Sequence, residues 1–200
     1  MSYAIIGFGA VGQALARMFA RKGIEVTVTS RQKPEALEPQ AKAIGPTTVP
    51  KTLKDALEAD IVILAVPYWE HREVAKARAS WQGKILIDVT NALGVPVEDL
   101  GGLPSSSMIA RDLPGARLVK AFNHLPARVL AEDPAINGGR RVVFLSSDDE
   151  NATATVAALV EQLGYAAVGL GKIAEGGQLV QARDKIWGPL IFQDLFKREQ

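Results

Sequence analysis

The first dozen residues constrain the fold of this chain more than any other stretch. A short apolar run enters a turn in which Gly7, Gly9 and Gly12 have the spacing G-x-G-x-x-G, and a helical pattern follows. This order predicts a strand, a tight turn and a helix whose N-terminus holds the pyrophosphate of a dinucleotide. An ordinary glycine-rich turn is the alternative, and the strand and helix patterns on either side argue against it. The predicted pyrophosphate-binding residues are Gly7, Phe8, Gly9, Ala10, Val11 and Gly12.

The residues after the second predicted strand distinguish NADP from NAD. Residues 24–29 alternate as a strand does, and no carboxylate follows them before Glu35. An NAD-binding unit has an acidic residue about 20 positions after the glycines, where it bonds the ribose 2′-hydroxyl. A guanidinium instead matches phosphate oxygens with paired donors. We therefore predict that Ser30 and Arg31 bind the 2′-phosphate of NADP, with Lys33 as a weaker helper. A solvated basic loop is the alternative.

Apolar runs separated by helical patterns continue along the chain. Further strands are predicted at 60–67, 84–89, 117–122, 140–145 and 165–170. Strands that alternate with helices predict an α/β fold, with a Rossmann-type, doubly wound, mostly parallel sheet and helices on both faces. We expect a single domain over residues 1–200, in which residues 171–200 form a C-terminal helical extension. An apolar stripe in that extension predicts a homodimer, and it consists of Trp187, Leu190, Ile191, Leu195 and Phe196.

Ligands bind at the carboxyl ends of the strands in such a sheet, so the residues there are candidates for the site. The predicted cofactor contacts after the third and later strands are Ala65, Val66, Pro67, Tyr68, Asn91, Ala121 and Asn123. Tyr68 and Trp69 are suited to stacking on a ring, and equally to a place in the core or an interface. The pattern alone leaves both open.

His124 is the one titratable group at a predicted strand end with a mechanistic role to offer. A loop histidine, or one that merely hydrogen-bonds a ligand, is the alternative. We interpret His71 as a surface residue beside Glu70, and Asp88 as a group that satisfies loop backbone. No proton-transfer pair gathers at the predicted edge. Hydride transfer between two rings needs mainly proximity and alignment, whereas ketone reduction usually needs a proton donor as well.

Composition excludes several kinds of chemistry. The chain has no cysteine and two histidines, so disulfides, thiolate sites and multi-histidine metal centres are not expected. The acidic run 148–150 precedes an alanine-rich helix, and capping explains it better than a metal does. A net charge of +1 gives no sign of nucleic-acid or membrane-surface binding, and no apolar run approaches the length that spans a bilayer. We expect a cytoplasmic protein.

Several segments together resemble the coenzyme F420-dependent NADP oxidoreductases and the related oxidoreductase domains of the STEAP metalloreductases. The segments are residues 6–12, 29–31, 65–67, 69–71, 88–91, 119–123 and 125–127. The resemblance implies NADP(H) at the glycines, with its 2′-phosphate on Ser30 and Arg31. It also implies a nicotinamide near Val66, Pro67 and Ala121, with a deazaflavin or flavin ring over it. Residues 94–114 and the tail after 187, which would shape the second substrate's pocket, match less well.

The leading hypothesis is therefore an NADPH-dependent oxidoreductase that exchanges hydride with a small-molecule ring acceptor, either coenzyme F420 or a flavin such as FMN. A reductase of a small imine or carbonyl is a second possibility. Such reductases typically carry a long helical C-terminal domain, and only residues 171–200 follow the last predicted strand here. A non-catalytic NADP(H)-sensing protein is the third, because no catalytic acid is evident.

Overall fold

A mostly parallel sheet forms the centre of the protein, and the structure, a computed structural model, describes residues 1–182 and 195–198. Its strands are β1 Tyr3–Ile6, β2 Val26–Thr29, β3 Thr48–Pro50, β4 Ile61–Leu64, β5 Ile85–Asp88, β6 Arg117–Lys120, β7 Ala135–Ile136, β8 Gly139–Ser147, β9 Ala166–Gly169 and β10 Phe196–Arg198.

The helices are α1 Ala10–Arg21, α2 Pro34–Ile44, α3 Leu53–Ala56, α4 His71–Lys76, α5 Ser105–Asp112, α6 Ala127–Leu130, α7 Glu150–Gln162 and α8 Gly176–Leu179. Two 3₁₀ turns, Tyr68–Glu70 and Val97–Leu100, precede α4 and α5. Within the described ranges, no helix combines the length and the apolar character that crossing a membrane would require.

The strand order is β10-β8-β6-β5-β4-β1-β2-β3. The six strands from β3 to β6 are all parallel to their neighbours, which is the Rossmann arrangement. β8 then runs antiparallel to β6 and pairs with β7, β9 and β10. The predicted α/β fold is confirmed. Because the chain starts at β1 and adds strands first on one side and then on the other, a crevice opens between the carboxyl ends of β1 and β4.

The central strands are apolar along their whole length because helices cover both faces of the sheet. Alternate residues of β4 belong to different cores: Ile61 and Ile63 pack in a cluster with α1 and α7, whereas Val62 and Leu64 pack in a cluster with α4 and α5. A register slip of one residue would exchange these two sets. Burial on both faces therefore fixes the register of each strand, and with it the position at which the strand ends.

Helix α1 is amphipathic, and its apolar face, which includes Leu15, Met18 and Phe19, is buried against the sheet. It ends where the sequence predicts, since Gly23 has the left-handed φ of +65° that follows many helix C-termini. The capping interpretation of the acidic run is confirmed for Asp149, which accepts a hydrogen bond of 2.8 Å from the backbone N–H of Ala152 at the start of α7.

The predicted helical extension over residues 171–200 is wrong for its last described part. α8 is one turn, and Phe196–Arg198 form strand β10, which pairs antiparallel with residues 139–141 of β8. β6 pairs only with residues 146 and 147 of the nine-residue β8, so the other end of that edge is left for another strand. In the predicted apolar stripe, Trp187, Leu190 and Ile191 lie outside the described residues, and Leu195 is 39% exposed. The homodimer stays a prediction.

Candidate functional site

A cleft of about 690 Å³ lies at the carboxyl ends of β1, β2 and β4. Three separate loops line it, because neighbouring parallel strands bring their carboxyl ends to one edge of the sheet. From the predicted cofactor site they contribute Gly7, Phe8, Gly9, Ser30, Arg31, Ala65, Val66 and Pro67. The site that the sequence predicts at the glycine turn is therefore assembled around one cavity.

The three glycines of the turn are required for different reasons. Gly7 has φ +103°, and a Cβ there would lie 2.3 Å from the carbonyl oxygen of Ala65. A Cβ on Gly12 would lie 1.9 Å from the carbonyl oxygen of Gly7, so only glycine lets α1 pack on the turn. Gly9 has ordinary extended backbone, and no described atom lies within 4 Å of where its Cβ would be. The folded chain itself therefore gives no reason for a glycine at position 9.

The N-terminus of α1 is open toward an anion. Gly9 is its N-cap residue, so no side chain accepts a hydrogen bond from the first turn, and that turn contains no acidic residue. The unpaired N–H groups and the positive end of a twelve-residue helix dipole together favour a bound phosphate. A dinucleotide pyrophosphate fits this position, and its close approach would explain Gly9.

The loop after β2 brings Ser30 and Arg31 to the cleft, as predicted, but not Lys33. The Ser30 hydroxyl accepts a hydrogen bond of 3.0 Å from the N–H of Gln32, which shapes the turn. Arg31 extends into solvent with its side chain 89% exposed, and its Nη1 lies 3.4 Å from Glu70 Oε1. Lys33 is exposed at the N-cap position of α2 and does not line the cleft.

The two aromatic residues after β4 have different environments. Tyr68, a predicted cofactor contact, is instead buried in the core, with its ring centroid 5.1 Å from that of His71. Trp69 lines the cleft with its side chain 63% exposed. The 3₁₀ turn at Tyr68–Glu70 turns successive side chains to different sides, so Trp69 is the residue available for stacking on a ligand.

Asn91, Ala121 and Asn123, three other predicted cofactor contacts, do not line this cleft, and their contact with the cofactor stays a prediction. Asn123 Nδ2 donates to Asn91 Oδ1 at 3.0 Å and to the carbonyl oxygen of Val180 at 2.7 Å. The N–H of Ala182 donates to Asn91 Oδ1 at 3.2 Å, and Ala121 is fully buried. The two asparagines do lie at the carboxyl edge, but residues 180–182 of the chain occupy it there.

Both histidines are buried: His124 is a loop histidine after β6, one of the two possibilities that the sequence leaves open, whereas His71 is not at the surface as predicted. His124 is fully buried, with Nε2 3.3 Å from the carbonyl oxygen of Val142 and its ring against Phe144. Burial lowers the pKa of His124 to about 4, and the hydrogen bond to Val142 offsets only part of that. His71 is also buried. Its Nε2 lies 2.8 Å from Oδ2 of Asp112, the last residue of α5. His124 is therefore not a catalytic group of the cleft, and His71 is not a surface residue.

A buried ion pair at the ends of β5 and β6 escapes the sequence analysis. Lys120 Nζ lies 3.0 Å from Asp88 Oδ2, and both side chains are almost completely inaccessible. Asp88 also accepts hydrogen bonds from the N–H and hydroxyl of Thr90 and from the Ser106 hydroxyl, so its predicted role toward loop backbone is confirmed. Burial lowers the pKa of Lys120, and the Asp88 carboxylate opposes that effect. A signal exists in the sequence: each of the two is a charged residue inside a predicted apolar strand, 84–89 for Asp88 and 117–122 for Lys120.

The fold and the open glycine turn define a Rossmann protein of the dinucleotide-binding class. Residues 2–92 match the family model described as NADP oxidoreductase, coenzyme F420-dependent. Over these residues the chain is similar to this family, whose members are NAD(P)-dependent oxidoreductases, so the resemblance recognised from the sequence is confirmed. The matched residues include β1 to β5 and every residue that lines the cleft.

The chain is also similar to two proteins of known structure and to one curated relative. Hypothetical protein SMa0349 from Sinorhizobium meliloti is 39% identical, with TM-score 0.88, over 100% of this chain and 96% of that one. A structure described as an F420-dependent NADP-reductase from Arthrobacter sp. FB24 is 28% identical, with TM-score 0.71, over 86% of each chain. A glycerol-3-phosphate dehydrogenase (NAD(P)+) of Caulobacter vibrioides is 30% identical over 169 residues, 66% of this chain and 49% of its own. The chain spans less than half the length of the curated relatives that it matches.

The depressed pKa of His124 predicts a pH dependence that NMR can measure. The chain has two histidines, so the His124 imidazole signals can be assigned with a His124→Gln variant. We expect them to titrate at about 4. In the unfolded chain the pKa is about 6.5, so the free energy of unfolding should fall as the pH drops from about 6.5 toward 4, because only the unfolded state binds the proton in that range. Titration of His124 near 6.5 would contradict its burial.

Proposed function

We propose that the protein binds NADP(H) in the cleft at the ends of β1, β2 and β4 and exchanges hydride with a ring acceptor, coenzyme F420 or a flavin such as FMN. Gly9 is the observation that carries the nucleotide part. Its backbone is unstrained and the space beside it is open, so the glycine is explained by a group that approaches from outside the protein. The pyrophosphate of a dinucleotide is such a group, and α1 offers it N–H donors.

The 2′-phosphate is assigned to the loop after β2. Ser30 supplies a hydroxyl, and Arg31 supplies a guanidinium that stays largely in solvent and can take up a phosphate without burying an unpaired charge. Both residues line the same cleft as the glycines. No aspartate or glutamate follows β2 before Glu35, so the usual acceptor for a ribose 2′-hydroxyl is missing from that loop.

The class of hydride acceptor is inferred from the side chains that line the cleft. Ala65, Val66 and Pro67 form that wall, and the ionisable side chains among the described lining residues are Arg31, Glu70 and Glu73. Arg31 and Glu70 are paired with each other, and Glu73 is paired with Lys76. This leaves the wall without a general acid, which suits transfer between two rings held in contact. A bound nicotinamide supplies the hydride, while the wall and Trp69 position the rings and exclude water.

Replacing Gly9 by serine tests the nucleotide assignment without disturbing the fold. Serine is favoured at a helix N-cap, and the added Cβ has no described atom within 4 Å outside the neighbouring residues, so we expect the melting temperature to stay the same or rise. The side chain would occupy the space assigned to the pyrophosphate, so NADPH binding measured by calorimetry should weaken about tenfold or more. Gly12→Ala is the contrasting variant, because its Cβ meets the Gly7 carbonyl and should destabilise the fold itself. Unchanged NADPH affinity in a folded Gly9→Ser protein would contradict the proposal.

Replacing Arg31 by alanine tests the choice of nucleotide. Loss of a charge-assisted contact to the 2′-phosphate should weaken NADPH by about 10- to 100-fold and leave NADH within about threefold. Lys33→Ala is the matched control, since it removes the same charge two residues away from outside the cleft. Equal weakening of both nucleotides by Arg31→Ala, or a native preference for NADH, would rule out the 2′-phosphate assignment.

NADPH oxidation with separate acceptors tests the second substrate. Reduced-nucleotide turnover is followed by absorbance with F420, FMN, a ferric chelate and a small cyclic imine, with Gly9→Ser as the control that has lost its nucleotide site. We expect turnover with F420 or FMN and none with the imine. Turnover with the imine alone would favour the reductase alternative. Tight NADPH binding with no turnover on any acceptor would favour a sensing protein.

A further inference from the structure

The carboxylate of Glu70 pairs with the cation assigned to the 2′-phosphate. Glu70 comes from the 3₁₀ turn after β4 and Arg31 from the loop after β2, and both line the cleft. The Glu70 side chain is 24% exposed and the Arg31 side chain 89% exposed. An ion pair with so exposed a partner adds little to the stability of the fold, so it can be exchanged for another ion at small cost.

Apart from a favourable position near the positive end of the short helix α4, the Glu70 carboxylate has no structural task among the described residues. Glu70 stands at the N-cap position of α4 without a side-chain hydrogen bond to that helix, and its carboxylate meets Arg31 alone within the described chain. Glu73, the other acidic residue in the lining, lies 2.7 Å from Lys76, so its charge is already balanced. Of the two carboxylates, only Glu70 is positioned to act on Arg31.

We propose that Glu70 is a specificity-determining residue that competes with the 2′-phosphate for Arg31 and so moderates the preference for NADP over NAD. This inference rests on the proposed function. A 2′-phosphate brings negative charge to the Arg31 guanidinium, so it must displace the Glu70 carboxylate or stay beside it against repulsion. The uncharged 2′-hydroxyl of NAD meets no such conflict, because a carboxylate accepts a hydrogen bond from it.

The test compares NADPH and NADH affinities of the whole protein by calorimetry. Glu70→Gln keeps the shape of the side chain and removes its charge. We expect NADPH to bind about three- to tenfold more tightly, with NADH unchanged or slightly weaker, so that the NADPH preference rises. Glu73→Gln is the matched control: it removes the same charge from the same cleft, and the preference should stay within about twofold of the wild type because Lys76 already balances Glu73.

A second background separates competition for Arg31 from a general effect of charge. In an Arg31→Ala protein, Glu70→Gln should raise the preference by less than it does when Arg31 is present, because it then relieves only the repulsion between carboxylate and phosphate and there is no guanidinium to compete for. An unchanged preference in Glu70→Gln alone, or an equal rise in Glu73→Gln, would overturn the inference while wild-type NADPH binding still upheld the proposed function. Failure of the wild type to bind either nucleotide would overturn both.

Discussion

Two backbone hydrogen bonds at the end of β1 hold the whole site together. The N–H of Gly7 donates to the carbonyl oxygen of Thr29 at 2.9 Å, and the N–H of Ala65 donates to that of Ile6 at 2.8 Å. They fasten the end of β1 to the ends of β2 and β4, so the three loops that follow leave from fixed points. The close approach of Gly7 to Ala65 leaves no room for a side chain. The cleft is therefore a consequence of strand register.

The part of the site that the sequence predicts is the part that local geometry determines. A glycine spacing after a strand fixes the turn and the helix N-terminus, and a strand end fixes the place of Ser30 and Arg31. The sequence predicts Tyr68 as the cofactor contact, whereas Trp69 is the one that lines the cleft. The reason is the 3₁₀ turn at Tyr68–Glu70, which has a different side-chain period from the helix that follows and carries no clear sequence signal.

The sequence says least about residues whose neighbours lie in other elements of the fold. Asn91 and Asn123 are bonded to residues 180–182, and His124 lies against Val142 and Phe144. The hydrophobic periodicity of a single helix or strand does not report such contacts. The fold class can be predicted without knowledge of long-range contacts, because it depends on the alternation of strands and helices, and each of these has a local sequence pattern. Strand β10 could not be predicted in this way, because its extended conformation depends on pairing with the free edge of β8.

The carboxyl edge of the sheet has a sealed half and an open half, and each half contains an ion pair of a different kind. At the ends of β5 and β6 the Asp88–Lys120 pair is buried, and the cost of removing both ions from water is offset by further hydrogen bonds from Thr90 and Ser106. Such a pair cannot exchange partners without exposing an unpaired charge. At the ends of β2 and β4 the Arg31–Glu70 pair reaches solvent and can exchange partners freely. A pair of the first kind fixes backbone in place, whereas a pair of the second kind can respond to a ligand, and the cavity of about 690 Å³ lies beside the open half.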